Sequence, residues 1–128
     1  MADIEKLSFN ISVVDLGQID LLVDQGFYSS RTDFLRAAIR TQIGGHAETI
    51  KQTVTRKSGV LGVTHLGRAN LERRQAAGEI LDVTAVGMLV IGDDVTAELA
   101  RATIASISIY GVFRASPAVK AALADRMR

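Results

Sequence analysis

Apolar and polar residues alternate from Lys6 to Val13, near the start of the chain, and a further apolar residue, Val14, follows. Such alternation predicts a β-strand with one buried face. The apolar positions are Leu7, Phe9, Ile11 and Val13, and the polar positions are Lys6, Ser8, Asn10 and Ser12. The next predicted strand begins beyond residue 58, so this strand has no nearby partner for its backbone N–H and C=O groups.

The apolar spacing changes to a helical period after the predicted strand. A first helix is expected over residues 16–25, with Asp15 as its N-cap and Gly26 at its end. A second helix is expected over residues 31–43. It follows the pair Ser30 and Asp33, which resembles a capping box with Asp in place of Glu or Gln.

One strand and two helices in the first 45 residues are too small to enclose a core alone. The chain has no Cys for disulfides and only two His for a metal site, so oligomerisation remains. If two copies pair their strands antiparallel, the backbone hydrogen bonds are completed. The apolar positions of both strands then cover the helices, and the polar positions project outward as a two-stranded ribbon.

The segments "LSFNISVV" and "GFYSSRTDFLRAAIR" resemble the ribbon-helix-helix DNA-binding proteins, the class of the Arc and MetJ repressors and the CopG-like regulators. The resemblance covers residues 4–43. It implies a homodimer whose intermolecular ribbon enters the major groove of double-stranded DNA. The implied dimer core is Leu7, Phe9, Ile11 and Val13, and the implied base-contacting residues are Lys6, Ser8, Asn10 and Ser12. The implied phosphate-binding residues, at the start of the second helix, are Ser29, Ser30, Arg31 and Thr32.

Charge is distributed unevenly, although the net charge of the whole chain is only +1. Residues 1–45 carry four basic and six acidic side chains, residues 46–80 carry six and three, and residues 81–128 carry five of each. Because DNA affinity depends on phosphate neutralisation, the basic middle segment or several adjacent dimers would have to supplement the ribbon. The alternative is a ribbon that only dimerises, with a solvated polar face.

Residues 45–57 are predicted to form a linker or short helix, since Ile50 and Val54 are spaced by one helical turn. Lys51, Arg56 and Lys57 make this segment either a solvated connector or a basic arm beside the DNA backbone.

An internal repeat occupies residues 58–128. "ILDVTAVGMLVIGDDVTAEL" (80–99) aligns with "IASISIYGVFRASPAVKAAL" (104–123) at an offset of 24 residues, with Gly87 on Gly111. A fainter copy begins near residue 58 and places Gly62 at the same position. Each unit is predicted to be a strand, a turn and a short helix, which gives a leucine-rich-repeat-like β/α domain with parallel strands.

The ends of such a repeat expose an unpaired strand and apolar surface. The domain over residues 58–128 is therefore expected either to associate with further copies or to be closed by its last helix. That helix has a strong start signal in Ser116 and Pro117.

No arrangement of side chains nominates a catalytic residue, a metal site or a cofactor site. The two His residues are not paired, and Asp93-Asp94 is expected at a helix N-terminus. No apolar run reaches the roughly 18 residues of a membrane span, and the N-terminus lacks the apolar core of a secretory signal. Together with the lack of Cys, this predicts a cytoplasmic protein that is not an enzyme.

The predicted class is α+β: a ribbon-helix-helix domain (1–44), a connector (45–57) and a β/α repeat domain (58–128) for assembly or effector response. The leading functional prediction is a bacterial transcription regulator, such as a repressor, that binds DNA as a homodimer or higher oligomer. Two alternatives remain. One is a self-assembling scaffold, and the other is the antitoxin of a toxin–antitoxin pair.

Overall fold

The computed structural model describes residues 4–128, which fold as two compact units, 4–51 and 52–128. The α+β class is as predicted. The elements are α1 (Val13–Asp24), α2 (Arg31–Gly45), α3 (Ala47–Arg56), β1 (Val60–Leu66), α4 (Arg68–Ala76), β2 (Leu81–Ile91), α5 (Ala97–Thr103), β3 (Ile104–Arg114), α6 (Pro117–Leu123) and a 3-10 helix (Ala124–Arg126). The division between the units falls inside α3, within the predicted connector.

Helix α1 begins earlier than the apolar spacing predicts. Ser12 is its N-cap, and the Ser12 hydroxyl accepts a hydrogen bond of 3.1 Å from the backbone N–H of Asp15. The assignment of Asp15 as the N-cap was therefore wrong, as was the extension of the strand through Val13 and Val14, which form the first turn of α1. The cap decides the boundary because it satisfies one of the free N–H groups of that turn.

Helix α2 starts where the sequence predicts. The Ser30 hydroxyl accepts a hydrogen bond of 3.0 Å from the N–H of Asp33. The helix continues to Gly45, two residues beyond the predicted end, and His46 is its C-cap. Glycine lowers helix propensity without excluding the helical backbone conformation, so two glycines do not stop a helix by themselves.

The second unit is built on a three-stranded parallel sheet in the order β1-β2-β3, with a helix after each strand. The parallel strands and the offset of 24 residues are confirmed by the β2–β3 register, in which Val83 lies beside Ile107 and Gly87 beside Gly111. Between β1 and β2 the offset is 25 residues, since Gly62 lies beside Gly87.

The core of this unit lies between the sheet and helices α4, α5 and α6. Ala85, Leu89 and Ile91 alternate along β2 and face this core. The helices contribute Leu71, Leu99, Ala100, Val119 and Leu123. The intervening strand residues form the opposite face of the sheet, where Leu61 is 65% exposed and Tyr110 51% exposed.

A column of stacked glycines crosses the sheet. Gly62, Gly87 and Gly111 have φ values of 126°, 131° and 122°, a region that L side chains rarely adopt. A Cβ atom on Gly87 would overlap the carbonyl oxygen of Gly62, and one on Gly111 would overlap that of Gly87. The column therefore requires glycine for close packing between strands as well as for φ.

Asp94 of the Asp93-Asp94 pair lies at a helix N-terminus, but not at that of the next helix in the chain. Asp94 accepts a hydrogen bond of 3.4 Å from the N–H of Arg68, the first residue of α4. Helix α5 is capped by Thr96, whose hydroxyl accepts from the N–H of Leu99 at 3.1 Å. Neighbouring repeats are thus joined by a cap from one to the next.

Helix α6 confirms its predicted start. The Ser116 hydroxyl accepts a hydrogen bond of 3.2 Å from the N–H of Val119, and Pro117 is the first helical residue.

The residues after α6 close part of the β3 edge. Met127 forms a parallel bridge with Ile107, and the N–H of Arg128 donates to the Ile107 carbonyl at 2.8 Å. The Arg126 guanidinium donates to the carbonyl oxygens of Arg101 and Ile104 at 2.5 and 2.6 Å. The residues that cover the first part of β3 thus follow the last helix rather than belong to it, and the prediction that the repeat associates with further copies or is closed by its last helix stays a prediction.

Candidate nucleic-acid interface

Residues 4–12 lead into α1 and form no helix or strand within the described chain. Their apolar side chains are unusually exposed: Leu7 by 84%, Phe9 by 62% and Ile11 by 38%. Val13, the last member of the alternating apolar set, is 84% exposed at the start of α1. A row of large apolar side chains exposed in this way is typical of an interaction surface.

An apolar groove lies beside this segment within the first unit. Its lining residues are Ile11, Asp15, Gln18, Ile19, Leu22, Phe34 and Leu35, and its volume is about 370 Å³. Ile19 is the one buried residue of α1, and α2 has none. The two helices therefore leave most of their apolar surface open in the single chain.

The predicted base-contacting residues fall into two groups. Lys6, Ser8 and Asn10 are exposed on the segment before α1. Ser12 is also exposed, but its hydroxyl oxygen is engaged as the N-cap of α1. Its capping bond uses one acceptor site and leaves the O–H donor available.

The predicted phosphate-binding residues come together at the start of α2. Arg31 and Thr32 occupy the first two helical positions, ahead of the first backbone hydrogen bond, from the N–H of Phe34 to the carbonyl of Ser30. Their N–H groups belong to the four that a helix cannot satisfy internally.

Ser29 is already engaged by a carboxylate. Its N–H and its hydroxyl both donate to Asp33 Oδ2, at 3.0 and 3.2 Å. Asp33 therefore places negative charge at the helix terminus where a phosphate would bind, which stabilises the helix but opposes an anion.

The Arg31 side chain is held by α1. Its Nε and Nη2 atoms donate to the two carboxylate oxygens of Asp20 at 2.7 and 2.8 Å, a bidentate ion pair. The hydrogen bond from Arg31 holds the pKa of Asp20 below its usual value, and the Asp20 carboxylate raises the pKa of Arg31. Both side chains remain about half exposed, so the pair is accessible to competing ions.

The sequence analysis did not predict the ion pair of Asp20 with Arg31 or the hydrogen bonds from Ser29 to the Asp33 carboxylate. Asp20 and Arg31 lie eleven residues apart on different helices, so no local spacing joins them. The contact from Asp33 to Ser29 was detectable, because a carboxylate three residues after an N-cap can reach back to the residues before the helix.

Part of the basic middle segment is neutralised by neighbouring acids. Arg68 forms an ion pair with Glu72 at 2.6 Å, and Arg74 forms one with Glu79 at 3.2 Å. Lys57 lies over the Tyr110 ring at 5.7 Å. Fewer basic side chains of this segment are therefore without an acidic partner than its net charge suggests.

Within residues 4–128, no group of three or more His, Asp or Glu side chains forms a candidate metal site. None of the described helices has the length and apolar character needed to cross a membrane.

Two helices that follow an alternating segment, with Ser30 as the N-cap of the second, resemble the helical part of ribbon-helix-helix proteins. The model of the ribbon-helix-helix transcriptional regulator family matches residues 2–120, and the chain belongs to this family. The match extends far beyond the first 43 residues, so the family pattern includes most of the repeat unit. No curated protein and no solved structure matches the chain.

Proposed function

We propose that the chain binds specific double-stranded DNA sequences as a homodimer and regulates transcription. The dimer forms when residues 6–12 of two copies pair antiparallel. The observation that carries this proposal is the row of exposed apolar side chains beside the open groove between α1 and α2. A second copy would cover both, because its own row and groove are related by the same two-fold axis.

The outward face of the paired segments would enter the major groove of DNA, which accommodates a two-stranded ribbon. Asn10 can make a bidentate contact with adenine, and Ser8 can donate to or accept from any base. Lys6 lies at the end of the segment, where it would contact a base edge or phosphate. Ser12 would contribute its remaining O–H donor while its oxygen caps α1.

The start of α2 would hold a backbone phosphate through the N–H groups of Ser30, Arg31 and Thr32. Two carboxylates oppose this anion, Asp33 at the helix terminus and Asp20 on α1. When DNA binds, Arg31 would exchange the Asp20 carboxylate for the phosphate, since a guanidinium makes bidentate contacts with either. Phosphate binding therefore competes with a contact inside the protein, which favours modest affinity for each dimer.

The test begins with selection of bound duplexes from a random library by the whole chain. Affinity for the selected duplex and for a scrambled duplex is then measured against salt concentration. For the variant Ser8→Ala with Asn10→Ala we expect a loss of discrimination of roughly 5- to 150-fold, the range for one good base contact. Affinity for the scrambled duplex and its salt dependence should change little.

Thr41→Ala is the matched control, because it removes an exposed hydroxyl from α2 far from its start. It should leave both affinities unchanged. If the wild-type chain binds neither duplex at low salt, the regulatory proposal is rejected and a scaffolding role takes its place. The buried core of the repeat unit already disfavours the antitoxin alternative, whose toxin-binding tail would fold only on binding.

A further inference from the structure

The two edges of the parallel sheet are unpaired over matching lengths. Among residues 4–128, β1 is paired only with β2, so no strand of the described chain covers its outer edge. β3 is paired with β2 on one side. On the other side, within the described chain, residues 126–128 contact it at Ile104 and Ile107 and leave the part after Ile107 without a partner strand. Open edges present rows of unpaired N–H and C=O groups that can accept another strand.

The glycine column ends differently at these two edges. At β1, a Cβ atom on Gly62 would meet nothing within 4 Å, although its backbone has the same φ > 0 conformation as the other two glycines. At β3, Gly111 repeats the conformation of Gly87, whose carbonyl oxygen lies against the next glycine. The carbonyl of Gly111 therefore projects toward a position where only a glycine can lie.

The length of β1 also fits the open part of β3. On β2, β1 pairs from Ala85 onward and leaves the first residues of that strand uncovered. The equivalent of Ala85 on β3 is Ile109, which comes after the Ile107 bridge to Met127. Met127 thus occupies a part of β3 that a strand equivalent to β1 does not need.

We propose that β1 of one copy adds in parallel to β3 of another copy, with Gly62 beside Gly111. A second copy fits because it brings a glycine with the required backbone conformation in the required register. The same register places Leu61 beside Tyr110 and Val63 beside the half-buried Val112, so the exposed Leu61, Val63 and Tyr110 gain apolar cross-strand neighbours.

This contact joins two different surfaces and is therefore heterologous. A heterologous contact leaves one free edge at each end, so copies continue to add until a ring closes or a filament grows. The interface does not involve residues 6–12 or α2 and does not depend on DNA binding.

The lack of Cys in the chain allows a direct test by disulfide cross-linking. In one chain, Leu61 and Tyr110 lie on opposite sides of Val86, two strand spacings apart, or roughly 9–10 Å. That separation exceeds the limit of about 7 Å between the Cα atoms of a disulfide. Across the proposed contact the two residues are one spacing apart, about 4.8 Å, which a disulfide can bridge.

The full-length variant carrying Leu61→Cys and Tyr110→Cys is oxidised and separated on a non-reducing denaturing gel. We expect a ladder of multimers that collapses to monomer on reduction. Both positions are exposed, so the folded state should be kept, and circular dichroism verifies this. A folded double variant that stays monomeric on the gel overturns the proposal.

Three controls define the geometry. Leu61→Cys alone and Tyr110→Cys alone should form no multimers, because the contact joins unlike edges. Leu61→Cys with Ser108→Cys keeps both thiols but shifts the register by two residues, and its ladder should be much weaker. If Leu61→Cys alone forms dimers as fully as the double variant forms multimers, the surface pairs symmetrically, face to face, and the edge-to-edge proposal is wrong.

Discussion

Asp20 joins the two helices of the first unit through its ion pair with Arg31. Because the pKa of Asp20 is lowered in the folded chain, its stabilising effect is complete above the ordinary value of 3.8 and is lost as pH falls through the folded pKa. We expect an NMR titration to place the pKa of Asp20 below 3.8, and Arg31→Ala to move it back up. An Asp20 midpoint that Arg31→Ala leaves unchanged would show that the ion pair does not form in solution.

Removal of the Asp20 charge should strengthen DNA binding. Asp20→Asn releases the Arg31 guanidinium for phosphate, so we expect higher affinity and a slope of log K against log salt that is steeper by roughly 0.9. Asp24→Asn is the control, since it removes the same charge from α1 while Asp24 has its hydrogen bond with Gln25 rather than with Arg31. An equal effect of both variants would mean that general charge, and not Arg31, is responsible.

Alanine substitutions of the three stacked glycines should differ in how much they lower the free energy of unfolding. In the unassembled chain, Gly62→Ala should lower the free energy of unfolding by about 1–3 kcal/mol, because only backbone strain acts there. Gly87→Ala and Gly111→Ala should lower it further or prevent folding, because their Cβ atoms would also overlap a backbone carbonyl that cannot turn aside. Urea unfolding measures the order, and equal losses at all three positions would contradict the proposed packing.

At the scale of elements, the start of α1 depends on Ser12. Ser12→Ala removes the acceptor for the Asp15 N–H and should lower stability by about 0.5–2 kcal/mol. Ser8→Ala, an equally exposed serine of the preceding segment, should change it by less than about 0.5 kcal/mol. Denaturant unfolding monitored by circular dichroism measures both. If Ser8→Ala destabilises as much as Ser12→Ala, capping is not what distinguishes Ser12.

Local signals predicted some element boundaries well. Ser30 with Asp33, and Ser116 with Pro117, mark their helices because caps act over three or four residues. The repeated glycine predicted the β2–β3 register, because it is a single position with a strict backbone requirement.

Other features were hidden from a one-dimensional pattern. Alternation continues through Val13, so the pattern favours a strand where the cap at Ser12 has already begun a helix. The Asp20–Arg31 pair depends on how two helices pack, which residue spacing does not encode. The groove was foreseeable only in general terms, from a unit too small to bury its own apolar residues.

At the scale of the whole molecule, dimerisation through residues 6–12 should depend on Phe9. Each dimer would bury two Phe9 rings, worth about 3–6 kcal/mol together, so Phe9→Ala should raise the dimer dissociation constant roughly 10²- to 10⁴-fold. Because the proposed ribbon forms only in the dimer, Phe9→Ala should also weaken DNA binding. Analytical ultracentrifugation of the full-length chain in dilute solution measures the change in the dissociation constant.

Phe27→Ala is the matched control, because Phe27 is 71% exposed in the loop between α1 and α2 and outside the alternating set. Its dissociation constant should stay near that of the wild type. A dimer that survives Phe9→Ala but not Phe27→Ala would place the interface elsewhere in the first unit.

The stacked glycines also constrain how this domain can change its length. Each strand carries one glycine whose carbonyl requires a glycine on the next strand, so a new strand is tolerated only as a complete β/α unit with its glycine in register. Duplication or loss of whole units of about 24 residues keeps the glycines of neighbouring strands in register. A shorter insertion within a strand shifts its glycine out of register. Homologous chains should therefore differ in repeat number by integers, with sequence variation concentrated in the turns and on the outer surfaces of the helices.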